Sequence, residues 1–266
     1  MDSCSQTARD FTSPFDVLMF DLDDTLYSSK VGIAEALRKN IDDFLVEKCG
    51  FAEDKALSLR VELFKTYGSS LAGLRALGYN IDADDYHSVV HGRLPYELIK
   101  PDCQLRNLLR SITQRKIIFT NSDRTHAIKV LKRLGLVDCF DQIICFETMN
   151  PNLSKSTRPD EFPVLLKPAM DAMKVAIHAA DIDPNRTLFL DDNVRNVAAG
   201  KAIGLRTVLV GKTMKSKGAD YAVENVNNIT QVIPEIWMIG NENENQRISR
   251  TRSGMESMDS MLTVGA

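Results

Sequence analysis

The sequence predicts an α/β fold: an open parallel sheet with a helical block inserted after its first strand. Three observations carry this reading. Short apolar runs that end in polar residues recur along the 266-residue chain and alternate with helix-like segments. The alternation stops between about Ser28 and Lys100, where helical patterning takes over. A hydrophobic content of 44% suffices for a sizeable core in one large domain, or in a domain carrying an insertion.

The first strand is read over Val17 to Phe20, a run too short and too abruptly ended for a helix. Asp21-Leu22-Asp23-Asp24-Thr25 comes directly after it. Carboxylates packed this densely repel one another, so a fold keeps them together where a cation offsets their charge. In the inserted block, Ala34 to Leu45 places Leu37, Ile41, Phe44 and Leu45 on one helix face, and Asp54 to Lys65 repeats the pattern with Leu57, Val61 and Phe64. Two glycine turns, Tyr67-Gly68-Ser69-Ser70 and Leu77-Gly78-Tyr79-Asn80, punctuate the remainder of the block.

Alternation resumes with a short helix around Leu105 to Leu109 and a second strand over Lys116 to Asn121. A helix is expected from Ser122 to Leu134, with Ser122 or Asp123 as N-cap and Gly135 as C-cap. A third strand is expected over Phe140 to Phe146, then a polar loop from Thr148 to Glu161. Lys167-Pro168 is expected to open a helix with Pro168 in its first turn. A fourth strand over Thr187 to Asp192, a helix over Asn193 to Ile203 and a fifth strand over Arg206 to Gly211 complete the pattern. Right-handed crossovers bring the strand ends to one edge of one sheet. The organisation is therefore a core of residues 15–27 and 101–239, a helical insertion of 28–100, and polar tails at 1–14 and 240–266 that are expected to lack fixed structure.

Composition excludes several classes. A net charge of −3 and a pI near 5.9 give no electrostatic footprint for nucleic acid or an anionic membrane. The five cysteines are scattered, without a C-x-x-C spacing, and read as reduced thiols of an intracellular protein. No apolar run is long enough to cross a bilayer, and residues 1–14 lack the pattern of a signal peptide. The expected location is the cytoplasm, with the nucleus as the alternative. His87, His91, His126 and His178 are dispersed along the chain and are read as structural.

Four strand or helix ends point at one sheet edge: Asp21 with Asp23, Thr120 with Asn121, Lys167, and Asp191 with Asp192. Each has a plain alternative, since Thr120 suits a helix cap, Lys167 a surface charge, and the Asp191-Asp192 pair a helix start. Together they supply a carboxylate nucleophile, an acid, a hydroxyl and a cation for phosphoryl oxygens, and further carboxylate for a metal.

Asp21-Leu22-Asp23-Asp24-Thr25, Thr120-Asn121, Lys167-Pro168 and Asp191-Asp192 together resemble, in order and strand context, the four motifs of the haloacid dehalogenase-like hydrolase superfamily. The resemblance covers roughly residues 15–235 and implies a Rossmann-like core with an inserted α-helical cap. It implies that Asp21 attacks phosphorus and carries an aspartyl-phosphate, and that Asp23 protonates the leaving oxygen and then takes a proton from water. Lys167 and Thr120 would hold the phosphoryl group. Mg²⁺ would take oxygen from Asp21, Asp192 and the Asp23 carbonyl, with Asp191 behind them or as a secondary ligand.

Within the insertion, Phe64-Lys65-Thr66-Tyr67-Gly68-Ser69-Ser70, Leu98-Ile99-Lys100-Pro101-Asp102 and Phe119-Thr120-Asn121 followed by His126-Ala127-Ile128 are similar to the pyrimidine 5′-nucleotidases of the suppressor-of-disruption-of-TFIIS type. That similarity implies a UMP or CMP phosphatase whose partner is a small phosphomonoester, with Asn121 among the substrate contacts. The Tyr67-Gly68-Ser69 turn between inserted helices is the candidate specificity loop, where Gly68 would allow a close backbone approach. Tyr67 would stack on a base, or else end its helix and pack within the insertion. The competing readings are a phosphatase for pyridoxal phosphate or a phosphosugar, and an idle regulator that binds a partner.

Overall fold

The computed structural model describes residues 12–153 and 163–238. It has the expected α/β architecture, a sheet of six parallel strands in the order β3-β2-β1-β4-β5-β6. These are β1 Val17–Phe20, β2 Arg115–Phe119, β3 Gln142–Ile144, β4 Thr187–Asp191, β5 Arg206–Val210 and β6 Tyr221–Val223. In register, Val17 of β1 lies opposite Arg115 of β2 on one side and Thr187 of β4 on the other. The order reverses at β1, so the crevice at its carboxyl end is the switch point where ligands bind in open α/β sheets.

The side chains of β1 explain why the strand sits at the centre. Leu18 and Phe20 join one hydrophobic cluster with Ile118, Leu188 and Leu190, while Val17 and Met19 join the other with Ile117, Phe119 and Phe189. A strand with apolar residues at every position can be buried on both faces.

Between β1 and β2 lie α1 Ile33–Glu47, α2 Glu53–Tyr67, α3 Ser70–Ala76, α4 Ala83–Val90 and α5 Cys103–Ser111. Caps set these boundaries. Ser69 caps α3, Asp82 caps α4 and Asp102 caps α5, each side chain accepting a backbone N–H from the first turn. Gly68 ends α2 at φ 80°, a conformation that glycine adopts without strain. After β2 come α6 Arg124–Leu134, α7 Phe146–Met149, α8 Met170–Ala180, α9 Val194–Ala202 and α10 Ile229–Val232. Asp123, not Ser122, caps α6, and Gly135 closes it.

Several expectations are corrected. The strand expected over Phe140 to Phe146 is only Gln142–Ile144, at the sheet edge with β2 as its one neighbour. Phe140 instead packs edge-to-face on Phe20, and Phe146 opens α7. The polar loop expected from Thr148 therefore starts as helix, and residues 154–162 of it lie outside the described residues. Pro168 is not in the first turn of a helix: α8 begins at Met170, and the Lys167-Pro168 peptide bond is cis. Strand β6 was not expected; three residues at the sheet edge give too short a periodic signal.

The stripe of Leu57, Val61 and Phe64 on α2 is 58%, 39% and 53% exposed, whereas Ala56 and Leu63 are buried. Leu63 seats against α3 at Gly73, where a Cβ would come within 2.6 Å of the leucine side chain. That close approach turns the larger stripe outward. Of the expected tails, residues 1–11 and 240–266 lie outside the described residues, while Ser13 is bonded through its N–H to the Met238 carbonyl. Among the described residues no helix is long and apolar enough to cross a membrane, and Cys49, Cys103, Cys139 and Cys145 are free thiols.

Phe189 joins β4 to the helix above it. It is fully buried, and a Cβ on Gly200 of α9 would stand 2.8 Å from its ring. Phe189→Ala leaves a cavity under that close approach, and equilibrium urea denaturation is expected to show a loss of about 3–5 kcal/mol.

Candidate active site

The carboxyl ends of β1, β2 and β4 deliver the polar residues, and a buried lysine gathers them. The Lys167 side chain is 1% exposed, and its ammonium donates to Asp21 Oδ1 at 2.8 Å, Asp191 Oδ2 at 2.7 Å and the Phe119 carbonyl at 2.7 Å. Three donors meet three acceptors, so the ammonium is fully used. The rings of Phe119 and Phe189 lie 4.9 and 5.5 Å away and add cation–π attraction. Asn121 fixes the lysine's backbone by donating to the Lys167 carbonyl at 3.0 Å and accepting its N–H at 2.8 Å.

Asp21 also accepts from the Thr25 hydroxyl at 2.9 Å, and Thr25 Oγ1 accepts the Asp192 N–H at 3.2 Å, which ties the β1 loop to the β4 loop. Asp191 is fully buried and its oxygens take bonds from Lys167, Asn196 and the Asn193 N–H. Oxygens of Asp21, Asp191 and Asp192 lie within 4.8 Å of one another, a group able to hold a metal ion. Thr120 is buried, and its hydroxyl accepts the Ser122 N–H at 3.0 Å.

One ammonium does not balance three carboxylates. Burial, above all, pushes Asp21 up to about 8, with Asp191 and Asp192 adding repulsion against the pull of Lys167. Asp192 is pushed to about 7 by burial and then by Asp191 and Asp24. Lys167 itself is pulled upward: burial disfavours its charge, but Asp191 and Asp21 more than restore it.

Two residues on, Asp23 sits in the opposite environment. Its Oδ1 accepts from Tyr27 at 2.5 Å and from His126 Nε2 at 2.8 Å, and its Oδ2 accepts from Ser122 at 2.8 Å. Burial acts to raise its pKa, yet His126, Tyr27 and Ser122 overcome this and hold the carboxylate ionised well below its usual range. His126 Nδ1 meets the Tyr96 hydroxyl at 2.8 Å, and that hydroxyl donates onward to the His91 carbonyl. Both imidazole nitrogens thus face acceptors. The ring is pulled toward the charged form, burial opposing and Asp23 prevailing.

Sequence reasoning misses this imidazole. His87, His91 and His126, dispersed along the chain, converge in space: the His87 and His91 rings are 5.1 Å apart and the His91 and His126 rings 4.6 Å. The four-residue spacing of His87 and His91, which sets both on one face at the end of α4, is the one local signal of this cluster, and it does not reach His126.

A cavity of about 540 Å³ opens between the inserted helices and the loop after β2. Leu37, Ile41, Val61 and Phe64 supply apolar wall, and Asn121 and Ser122 reach it from the sheet edge. Gly68 lines it. Tyr67 does not; its ring lies against Gly73.

A family model for haloacid dehalogenase-like hydrolases matches residues 15–204, and the chain belongs to that family. The chain is 28% identical over 224 residues to phosphate metabolism protein 8 of Saccharomyces cerevisiae, an alignment covering 81% of this chain and 65% of the yeast protein. It is 27% identical over 158 residues to β-phosphoglucomutase of Bacillus subtilis, covering 58% and 61%. It thus spans just under two thirds of the length of these curated relatives. Among solved structures, CbbY from Rhodobacter sphaeroides in complex with phosphate shares the fold, with a TM-score of 0.55, 18% identity, and coverage of 81% of this chain and 96% of that one.

The charge balance fixes a pH dependence for the metal-free chain. Asp21 and Asp192, with folded pKa values near 8 and 7, bind protons that the unfolded chain has released above about pH 4. His126, pulled upward, acts in the same sense above about pH 6.5. Below about pH 6.5 His87 and His91, which burial depresses, act in the opposite sense, so the net fall in stability runs from about pH 6.5 to about pH 8. Thermal melts in chelator are expected to show the falling Tm, with a flatter profile in the Asp21→Asn/Asp192→Asn double variant. A Tm that rises across this window contradicts the assignment.

Proposed function

We propose that the chain is a Mg²⁺-dependent phosphomonoesterase acting through an aspartyl-phosphate on Asp21, and that its substrate is a pyrimidine nucleoside 5′-monophosphate. The observation that carries the chemistry is the opposed pair Asp21 and Asp23. One carboxylate lies against a buried ammonium and two further carboxylates, and the other is bound to an imidazole and two hydroxyls. In the ion-free chain Asp21 is drawn toward protonation and Asp23 is held ionised. Asp21 would return to the carboxylate form a nucleophile needs with a cation beside it, and His126, pulled toward its charged form beside Asp23, holds the transferable proton.

In this reading an Asp21 oxygen attacks phosphorus and the bond to the ester oxygen breaks. The leaving oxygen takes its proton from the Asp23–His126 pair, and the same pair accepts a proton from the water that hydrolyses the aspartyl-phosphate. Lys167 acts by charge, because its three donors are already used. Thr120 and backbone N–H groups of its loop contact the phosphoryl oxygens.

The donor set fits Mg²⁺: it is all oxygen, and it carries more carboxylate than cation. Asp21, Asp192 and the Asp23 carbonyl would hold the ion, and Asp191, saturated by Lys167 and Asn196, would stand behind them. The bound ion supplies positive charge that offsets the carboxylates and the phosphoryl oxygens.

Residues 28–100 act as a cap over the cavity in the same reading. Its volume falls within the roughly 300–1,000 Å³ of small-molecule sites, and its apolar wall suits the face of a base. The similarity to β-phosphoglucomutase favours a phosphosugar as the second reading.

Phosphate release from UMP, CMP, AMP, pyridoxal phosphate and a hexose phosphate decides between them. Release from UMP and CMP is expected to exceed the rest, to require Mg²⁺, and to fall by a factor of ~10⁴ or more in Asp21→Asn. Preference for the hexose phosphate moves the substrate to the second reading. Absence of any Asp21-dependent release rejects the chemistry and favours a regulator. Calorimetric melts give a separate check on the ion, because Mg²⁺ at about a hundred times its Kd is expected to add about 2.7 kcal/mol of stability, an effect lost in Asp192→Asn.

A further inference from the structure

His87 and His91 stand one turn apart at the end of α4, and both rings face Asp123, the residue that caps α6 across the seam between insertion and sheet. His91 Nδ1 lies 2.5 Å from Asp123 Oδ1, and His87 Nδ1 lies 3.7 Å from the same oxygen. Ligand atoms of all three fall within 4.8 Å of one another. His87 is the odd member. Its side chain is 10% exposed, yet neither ring nitrogen has a hydrogen-bond partner. A buried imidazole with both nitrogens unpaired has lost its water without compensation. The other polar groups of this cluster are satisfied: Asp123 Oδ2 accepts the His126 N–H, and His126 is bound to Asp23 and Tyr96.

We propose that His87, His91 and Asp123 form a second metal site, for a divalent transition ion of the zinc type, separate from the carboxylate cluster at Asp21 and Asp192. Two imidazoles and one carboxylate are a donor set that favours zinc and disfavours magnesium, while the all-oxygen cluster has the reverse preference. Both histidines are suited to the role in the protonation state they hold. Burial depresses each, His87 to about 3, so they present neutral rings at physiological pH.

A tetrahedral zinc ion with bonds of about 2.0 Å sets its donors roughly 3.3 Å apart. The 3.7 Å separation of His87 from Asp123 is already close to that, and the shorter His91 contact opens when the ion displaces the proton it shares. With three protein ligands, the fourth position remains for water or a ligand group. His87 and His91 both line the 540 Å³ cavity, so that position is reached from the cavity. The ion would clamp α4 to the start of α6, and so hold the insertion against the sheet edge that carries Asp23's partners Ser122 and His126.

The test uses the full chain, stripped with chelator and then kept in saturating Mg²⁺ so that the carboxylate cluster is occupied. Calorimetric titration with Zn²⁺ is expected to show one equivalent bound per chain. Co²⁺ in its place is expected to give the intense visible absorption of a four-coordinate ion with nitrogen ligands. His87→Gln should weaken Zn²⁺ binding by about tenfold or more and remove the Co²⁺ bands. Because His87 makes no hydrogen bond, its metal-free melting temperature should stay near that of the wild type. Asp123→Asn, which keeps an N-cap side chain, should weaken Zn²⁺ binding as well. The Asp21→Asn/Asp192→Asn double variant should bind Zn²⁺ as the wild type does. Equal Zn²⁺ affinity in wild type and His87→Gln overturns the proposal, as does loss of the zinc equivalent in the Asp21/Asp192 double variant.

Discussion

The ammonium of Lys167 is the constraint on which the rest of the sheet edge depends. A charge buried this completely is tolerated only if every donor finds an acceptor, and its three acceptors come from the ends of three strands: Asp21 after β1, Phe119 on β2 and Asp191 on β4. One side chain thereby closes the loops around the switch point. Asn121 holds the lysine's own backbone from both sides, so the loop that carries it is fixed to the β2 loop before any side chain is considered. Loss of the lysine would leave two buried carboxylates unpaired, a cost that falls on the fold as well as on the site.

The same interaction separates Asp21 from Asp23. Lys167, Asp191 and Asp192 surround the first, while Tyr27, Ser122 and His126 surround the second, so residues two apart in sequence face opposite electrostatics. Burial contributes the largest single effect at both, and in the same direction. What differs is the partners: Asp21 shares one cation with other carboxylates, whereas Asp23 has an imidazole and two hydroxyls to itself. The electrostatic contrast between the two therefore rests on which loop reaches which carboxylate.

Most of this edge was legible in sequence because the relevant signals are local. Apolar runs stopped by Asp21, Thr120 and Asp191 mark both a strand and the polar group at its end, and the structure joins Asp21 and Asp191 through Lys167, which also bonds the Phe119 carbonyl just before Thr120. Signals that depend on tertiary contact were not legible. Nothing near His126 announces that Asp23, 103 residues away, will lie against it. Strand β3 is shorter than expected because Phe140 and Phe146 satisfy their burial outside the ladder, on Phe20 and in α7. Pro168 suits a helix start by propensity, but the helix waits until Met170 while Lys167 is held by its ion pairs.

The stripe on α2 shows how a correct period can have an unexpected destination. Leu57, Val61 and Phe64 do share a face, yet Leu63 and Ala56 make the helix contact, because Gly73 lets α3 approach on that side. Val61 and Phe64 then face Leu37 and Ile41 of α1 across the cavity. Leaving a phenylalanine half-exposed forgoes about 1 kcal/mol of burial, and the stripe repeats that loss. An apolar group entering the cavity recovers it. The apolar surface that the insertion leaves unburied in its own packing is thus available as affinity for whatever the cavity holds, and the α2 stripe sets the chemistry of that wall independently of the charged edge below it.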